Sequence, residues 1–142
     1  MESIDDLATN LDFTVAKTGA DRTVTTDRLD EVLPGAQVVM IAAAATDETR
    51  GLFDADRLAL LDEDAVLVNV ARGALVDTDA VVQALAAGRL HGYGTDVTDP
   101  EPLPEGHPLW TEERALITPH TADTPEMCVP LLHARVERNL RA

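Results

Sequence analysis

The 142-residue chain holds one cysteine, Cys128, so no internal disulfide can form and no cysteine cluster can hold a metal. No metal is expected. Aromatic residues make up 3% of the chain, which leaves a core to be built from Ala, Val and Leu. No apolar stretch approaches the roughly 18 residues of a membrane span, and no signal-peptide pattern follows Met1. A cytoplasmic protein without a membrane partner is the expectation. Among 11 basic residues only Lys17 is a lysine. The eight glycines stand at positions 19, 35, 51, 73, 88, 92, 94 and 106, and none falls in a G-x-G-x-x-G motif.

What the chain does have is 45% hydrophobic residues, enough for one folded domain with a real core. It also carries 26 acidic residues against 11 basic ones, a net charge of −15. The acidic residues are spread along the chain, so they describe a solvated acidic surface. Such a surface repels nucleic acid and anionic lipid. It also repels itself, and salt screens that repulsion. An Asp-rich, Lys-poor surface resembles those of halophilic proteins.

Apolar runs and helical stretches alternate. Residues 13–16 (FTVA) read as a strand. Thr26 and Asp27 offer an N-cap to a short helix reaching Leu33, which Pro34-Gly35 ends. Residues 37–42 (QVVMIA) read as a strand buried on both faces, residues 54–61 as a helix, and residues 65–70 (AVLVNV) as a second buried strand. Residues 77–87 (DTDAVVQALAA) form an amphipathic helix with Gly88 beyond its end. A glycine-containing strand spans residues 91–97, a proline-rich stretch residues 100–108, and a short strand residues 116–118. Thr124 caps, and Pro125 begins, a last helix to about Leu140, with Pro130 placed to kink it. Strand–helix alternation of this kind predicts an α/β fold with a parallel sheet.

In open α/β sheets, ligands bind beyond the carboxyl ends of the strands. Arg72 follows the strand of residues 65–70, Asp96 and Glu101 follow the next, and His120 follows the strand of residues 116–118. Singly, each reads as a surface or turn residue. Together they deliver a guanidinium, two carboxylates and an imidazole to one sheet edge. An Arg fork grips a carboxylate with two hydrogen bonds. A His near neutrality takes or returns a proton. Oxidation of a 2-hydroxy acid needs those two parts and a hydride acceptor, which must be a cofactor.

Asn69-Val70-Ala71-Arg72-Gly73-Ala74-Leu75-Val76-Asp77 resembles the signature of the D-isomer-specific 2-hydroxyacid dehydrogenases. Gly92-Tyr93-Gly94-Thr95-Asp96-Val97, Pro100-Glu101-Pro102-Leu103-Pro104, His107-Pro108-Leu109-Trp110 and Thr118-Pro119-His120-Thr121-Ala122 continue the resemblance in order, and Thr46-Asp47-Glu48-Thr49-Arg50-Gly51-Leu52 adds an upstream block. The similarity runs from about Leu29 to Leu140. It implies catalytic roles for three residues: Arg72 on the substrate carboxylate and C2 oxygen, His120 as general acid/base, and Glu101 paired with His120. It implies cofactor contacts for Asp96 at the nicotinamide carboxamide, for Val70 and Ala71 beside the ring, and for Thr46 beside the adenosine. NAD or NADP is the implied cofactor, a small 2-hydroxy or 2-keto acid the implied substrate, and a homodimer the implied assembly. Which acid remains open: glyoxylate, hydroxypyruvate, phosphoglycerate and bulkier 2-keto acids all fit. Trp110 reads as packing and His107 as a turn residue.

The chain departs from that family's pattern at one end. The G-x-G-x-x-G loop is absent, residues 2–11 look like the tail of the helix that would follow it, and Lys17-Thr18-Gly19 stands where an acidic ribose-binding residue is usual, a lean towards NADP. The expected architecture is therefore an incomplete Rossmann-type doubly wound parallel sheet, a partial dinucleotide-binding domain over residues 1–142 without the first strand, the glycine loop or the substrate domain. A truncated non-catalytic remnant, or a domain that only pairs with another subunit, is the alternative to an enzyme.

Overall fold

A computed structural model describes residues 20–121 and 124–141. The strand expected at residues 13–16, the helix tail at residues 2–11 and the Lys17-Thr18-Gly19 segment lie outside these described residues. Among the described residues, four strands form one sheet in sequence order: β1 (Val38–Ile41), β2 (Val66–Asn69), β3 (Gly92–Thr95) and β4 (Ala115–Ile117). All three pairings are parallel. The α-helices among the described residues are α1 (Ala55–Leu58), α2 (Thr78–Ala86) and α3 (Pro125–Leu140). This is the Rossmann-like α/β arrangement that the alternation of apolar runs predicts.

Local chemistry sets the helix limits. Asp54 and Asp77 cap α1 and α2, their carboxylates accepting from the amides of Arg57 and Ala80 at 3.0 Å. Past α2, Gly88 adopts φ +69°, and the amides of Gly88 and Arg89 return to the carbonyls of Leu85 and Ala84. That pair of bonds is a Schellman ending, and the left-handed residue it needs is the glycine. Two capping expectations fail. The turn at Thr26–Glu31 is a 3-10 helix with Thr25 at its N-cap, and no side chain caps it, so Thr26 and Asp27 sit inside the first turn. Thr124 stands at the N-cap of α3 without capping by its side chain. Pro125 follows it at the first helical position, where no amide needs a partner. Pro130 lies within α3, which continues past it to Leu140.

Register decides which side chains face the core. One face carries the rungs Val39–Leu67–Tyr93–Ala115 and Ile41–Asn69–Thr95–Ile117. Leu67, Tyr93, Asn69 and Thr95 there are buried, and the same core takes in Leu58, Leu75, Val81, Leu85, Leu90 and Leu109. The opposite face carries Val38, Met40 and Leu116, each about two-thirds exposed, around Val66, Val68, Gly92 and Gly94. The expectation that β1 is buried on both faces is therefore corrected. Among the described residues the core is built on one face, so only alternate residues of β1 enter it.

Candidate active site

The second rung of the buried face, Ile41–Asn69–Thr95–Ile117, ends three of the strands that carry the candidate residues. Asn69 and Thr95 are the buried polar residues of the described chain, and both are satisfied. The Asn69 side chain works on the turn that follows it. Its Oδ1 accepts from the Ala71 amide and its Nδ2 donates to the Arg72 carbonyl, each at 3.0 Å. The chain is bent sharply after β2, which leaves Ala71 buried and Arg72 exposed in extended backbone. The Arg72 Nη1 donates back to the Ala71 carbonyl at 2.6 Å. Among the described residues no carboxylate lies within ion-pair distance of this guanidinium.

Gly73 then brings this turn against the loop after β3. A Cβ at position 73 would stand 2.1 Å from the carbonyl carbon and oxygen of Thr98. Only a residue without a side chain lets the two backbones approach so closely. The loop so placed carries Glu101. Further along it, His107 Nδ1 accepts from the Leu109 amide and Trp110 Nε1 donates to the Pro104 carbonyl, so both residues brace the proline-rich stretch.

The ends of β3 and β4 are joined through Asp96. Its amide donates to the Asn69 carbonyl at 3.0 Å. Its Oδ1 accepts from the Thr118 hydroxyl and, at 3.0 Å, from the His120 amide. His120 is the one non-glycine residue of positive φ among the described residues, at +53°. Its Nδ1 lies 2.7 Å from Glu101 Oε1, with the two side chains 34% and 44% exposed, so the pair is open to a ligand. A carboxylate on Nδ1 fixes the proton there and leaves Nε2 as the lone-pair nitrogen. A hydrogen-bonded path thus runs from Arg72 through Asn69 and Asp96 to His120 and Glu101.

Beyond β1 the chain supplies a different surface. Ala42, Ala43, Ala44 and Ala45 line an open cleft of about 480 Å³ together with Val70, Ala71 and Arg72. All four alanines are exposed. Thr46 follows the last of these alanines, and it is Thr49 that ties the loop. The Thr49 hydroxyl donates to the Ala44 carbonyl at 2.7 Å and accepts from the Thr46 amide at 2.8 Å. Sequence reading singled out Arg72, Glu101, His120, Asp96, Val70, Ala71 and Thr46. It missed Asn69, Gly73 and Thr49 as organisers of the site, although each lies inside a motif block. The amide of Asn69, the hydroxyl of Thr49 and the missing side chain of Gly73 were the available signals.

Residues 8–122 match the family model of the D-isomer specific 2-hydroxyacid dehydrogenase NAD binding domain. The match begins well before Leu29, where the resemblance starts, and stops short of α3. A protein from the proB 3′ region of Corynebacterium melassecola is 43% identical over 122 residues, 86% of this chain and 40% of the relative. The chloroplastic/mitochondrial formate dehydrogenase of Arabidopsis thaliana is 40% identical over 96 residues, 68% of this chain and 25% of the relative. The crystal structure of a D-isomer specific 2-hydroxyacid dehydrogenase from Xanthobacter autotrophicus Py2, in complex with NADPH and MES, matches with a TM-score of 0.69 at 38% identity. That match covers 81% of this chain and 48% of the other. The chain spans less than half the length of these three proteins. It belongs to the D-isomer specific 2-hydroxyacid dehydrogenase family, within the NAD binding domain of that family.

Proposed function

We propose that this chain is part of a dinucleotide-binding domain and supplies the acid/base and carboxylate-binding groups of an NAD(P)-dependent D-2-hydroxyacid dehydrogenase site. The observation that carries the reading is the Glu101–His120 pair, 2.7 Å between Oε1 and Nδ1 at the end of the sheet. Arg72 holds the substrate carboxylate with its exposed fork. His120 Nε2 takes the proton of the C2 hydroxyl, and Glu101 holds the imidazole in the tautomer that can do so. NAD or NADP, when bound, accepts the hydride that leaves C2 as the hydroxyl becomes a carbonyl. The alanine-lined cleft, which Val70 and Ala71 also line and which Thr46 follows along the chain, suits the ring systems of such a cofactor, and the carboxylate oxygen of Asp96 not bonded to Thr118 and His120 suits its carboxamide. The sequence holds no G-x-G-x-x-G to grip the pyrophosphate.

The pair also favours a hydroxy acid over formate as substrate. Formate oxidised to carbon dioxide gives up a hydride and no hydroxyl proton, so a Glu–His pair would have nothing to move. A 2-hydroxy acid gives up both. The acidic, lysine-poor surface supports operation in high salt within the same reading.

The test is titration of the chain with NADH and NADPH by fluorescence in concentrated salt, followed by reduction of glyoxylate and longer 2-keto acids. Binding in the micromolar range and turnover lowered about 10²- to 10⁴-fold in His120→Ala are expected. Wild-type rates in both Arg72→Ala and His120→Ala would overturn the assignment.

A further inference from the structure

We infer that Asp96 is a positioning residue for His120, holding the imidazole on Glu101 through the His120 backbone, a role separate from any contact with a cofactor. The inference rests on the reading of His120 as the acid/base.

The geometry begins at β4. The last ladder bond runs from the Thr118 amide to the Thr95 carbonyl. Pro119 has no amide to donate. The His120 amide is therefore the first donor available to anchor the chain after the strand, and its acceptor is Asp96 Oδ1. At φ +53°, His120 sits in the left-handed region, which a residue with a Cβ occupies only when its surroundings hold it there. Asp96 is itself fixed, because its amide donates to the carbonyl of fully buried Asn69. One carboxylate oxygen thus clamps the Thr118 hydroxyl and the His120 amide to the end of β3. Among the described residues the other oxygen has no protein partner. Without the clamp, the backbone of His120 relaxes towards negative φ, which rotates its side chain away from Glu101. Nε2 then loses its standing as the lone-pair nitrogen, since no carboxylate fixes the proton on Nδ1.

The experiment compares wild-type chain with Asp96→Ala and Asp96→Asn, all ¹⁵N-labelled, by NMR at a pH where the imidazole is neutral, without cofactor or substrate. Asn keeps an oxygen that can accept from the His120 amide; Ala does not. Wild type and Asp96→Asn are expected to show one His120 tautomer, with the proton on Nδ1. Asp96→Ala is expected to show mixed tautomers and His120 amide exchange about tenfold faster, while the β2 amides keep their protection. An Asp96→Ala spectrum with the wild-type tautomer and exchange rate overturns the inference. So does mixed tautomerism in Asp96→Asn, which also decides the matter where Asp96→Ala does not fold. Failure to bind NADH or NADPH counts against the proposed function and leaves these spectra unaffected.

Discussion

The side-chain amide of Asn69 donates to the carbonyl of Arg72 and accepts from the amide of Ala71, both at 3.0 Å, from a position with no solvent exposure. Asn69→Ala leaves a donor and an acceptor unpaired near the core, at about 1–3 kcal/mol for each unsatisfied group. We expect a loss of roughly 3 kcal/mol in urea unfolding, read as a lower midpoint at unchanged slope. Asn69→Asp restores the acceptor alone and buries a charge, so it is expected to be at least as destabilising. A loss below about 1 kcal/mol in both variants would show that the turn holds itself.

Gly73 and Gly94 make a controlled pair. A Cβ at Gly73 would lie 2.1 Å from the backbone of Thr98, which no rotamer change can relieve. A Cβ at Gly94 would meet the Val68 side chain at 3.8 Å, an ordinary contact on the open face of the sheet. Gly73→Ala is expected to cost about 3 kcal/mol, at the upper end of overpacking effects. Gly94→Ala is expected to stay within about 0.5 kcal/mol of wild type. Equal thermal shifts in the two variants would show that the approach of the Arg72 turn to the Glu101 loop is looser than the geometry requires.

The strands and most helix limits were legible because they follow short-range rules. The apolar runs at residues 37–42 and 65–70, the glycine-containing stretch at 91–97 and the short run at 116–118 match the four described strands to within about two residues, and Asp54, Asp77 and Gly88 behave as their residue types dictate. What could not be read from the chain is what depends on partners distant in sequence. Burial of β1 on one face alone follows from which elements pack on it, and no local pattern encodes that. The motif implies a cofactor contact for Asp96, yet one of its oxygens accepts from an amide 24 residues away. Likewise Asn69 reads as the last letter of a strand, and its value lies in bonds made after the chain turns.

Charge makes a prediction of its own. With 26 acidic and 11 basic residues, the folded chain concentrates like charge that unfolding would disperse. Raising salt from 0.1 M to 1 M shortens the screening length from roughly 10 Å to roughly 3 Å. The melting temperature is expected to rise by about 5 °C or more over that range, in KCl and NaCl alike. A flat or falling melting temperature would remove the support for salt adaptation.

Tyr93, the single tyrosine, reports on the sheet interior. Burial pushes its phenol above the ordinary tyrosine value of about 10, and the neighbouring polar groups of Thr95 and Asn69 pull the other way without cancelling the shift. The neutral phenol is thus favoured more in the folded chain than in the unfolded one. The stability this contributes is complete below the unfolded value, and it is lost as pH rises through that value towards the folded one. Tyrosinate absorbance should therefore appear only above pH ~10 and in step with loss of the far-ultraviolet circular dichroism. Tyr93→Phe should move the alkaline unfolding midpoint upward, because the unfolded chain no longer gains an ionised phenol. Tyrosinate forming near pH ~10 while the dichroism stays native would mean that solvent reaches the ring in the folded state. The Tyr93–Asn69–Thr95 cluster would then be too loose to hold the Arg72 turn.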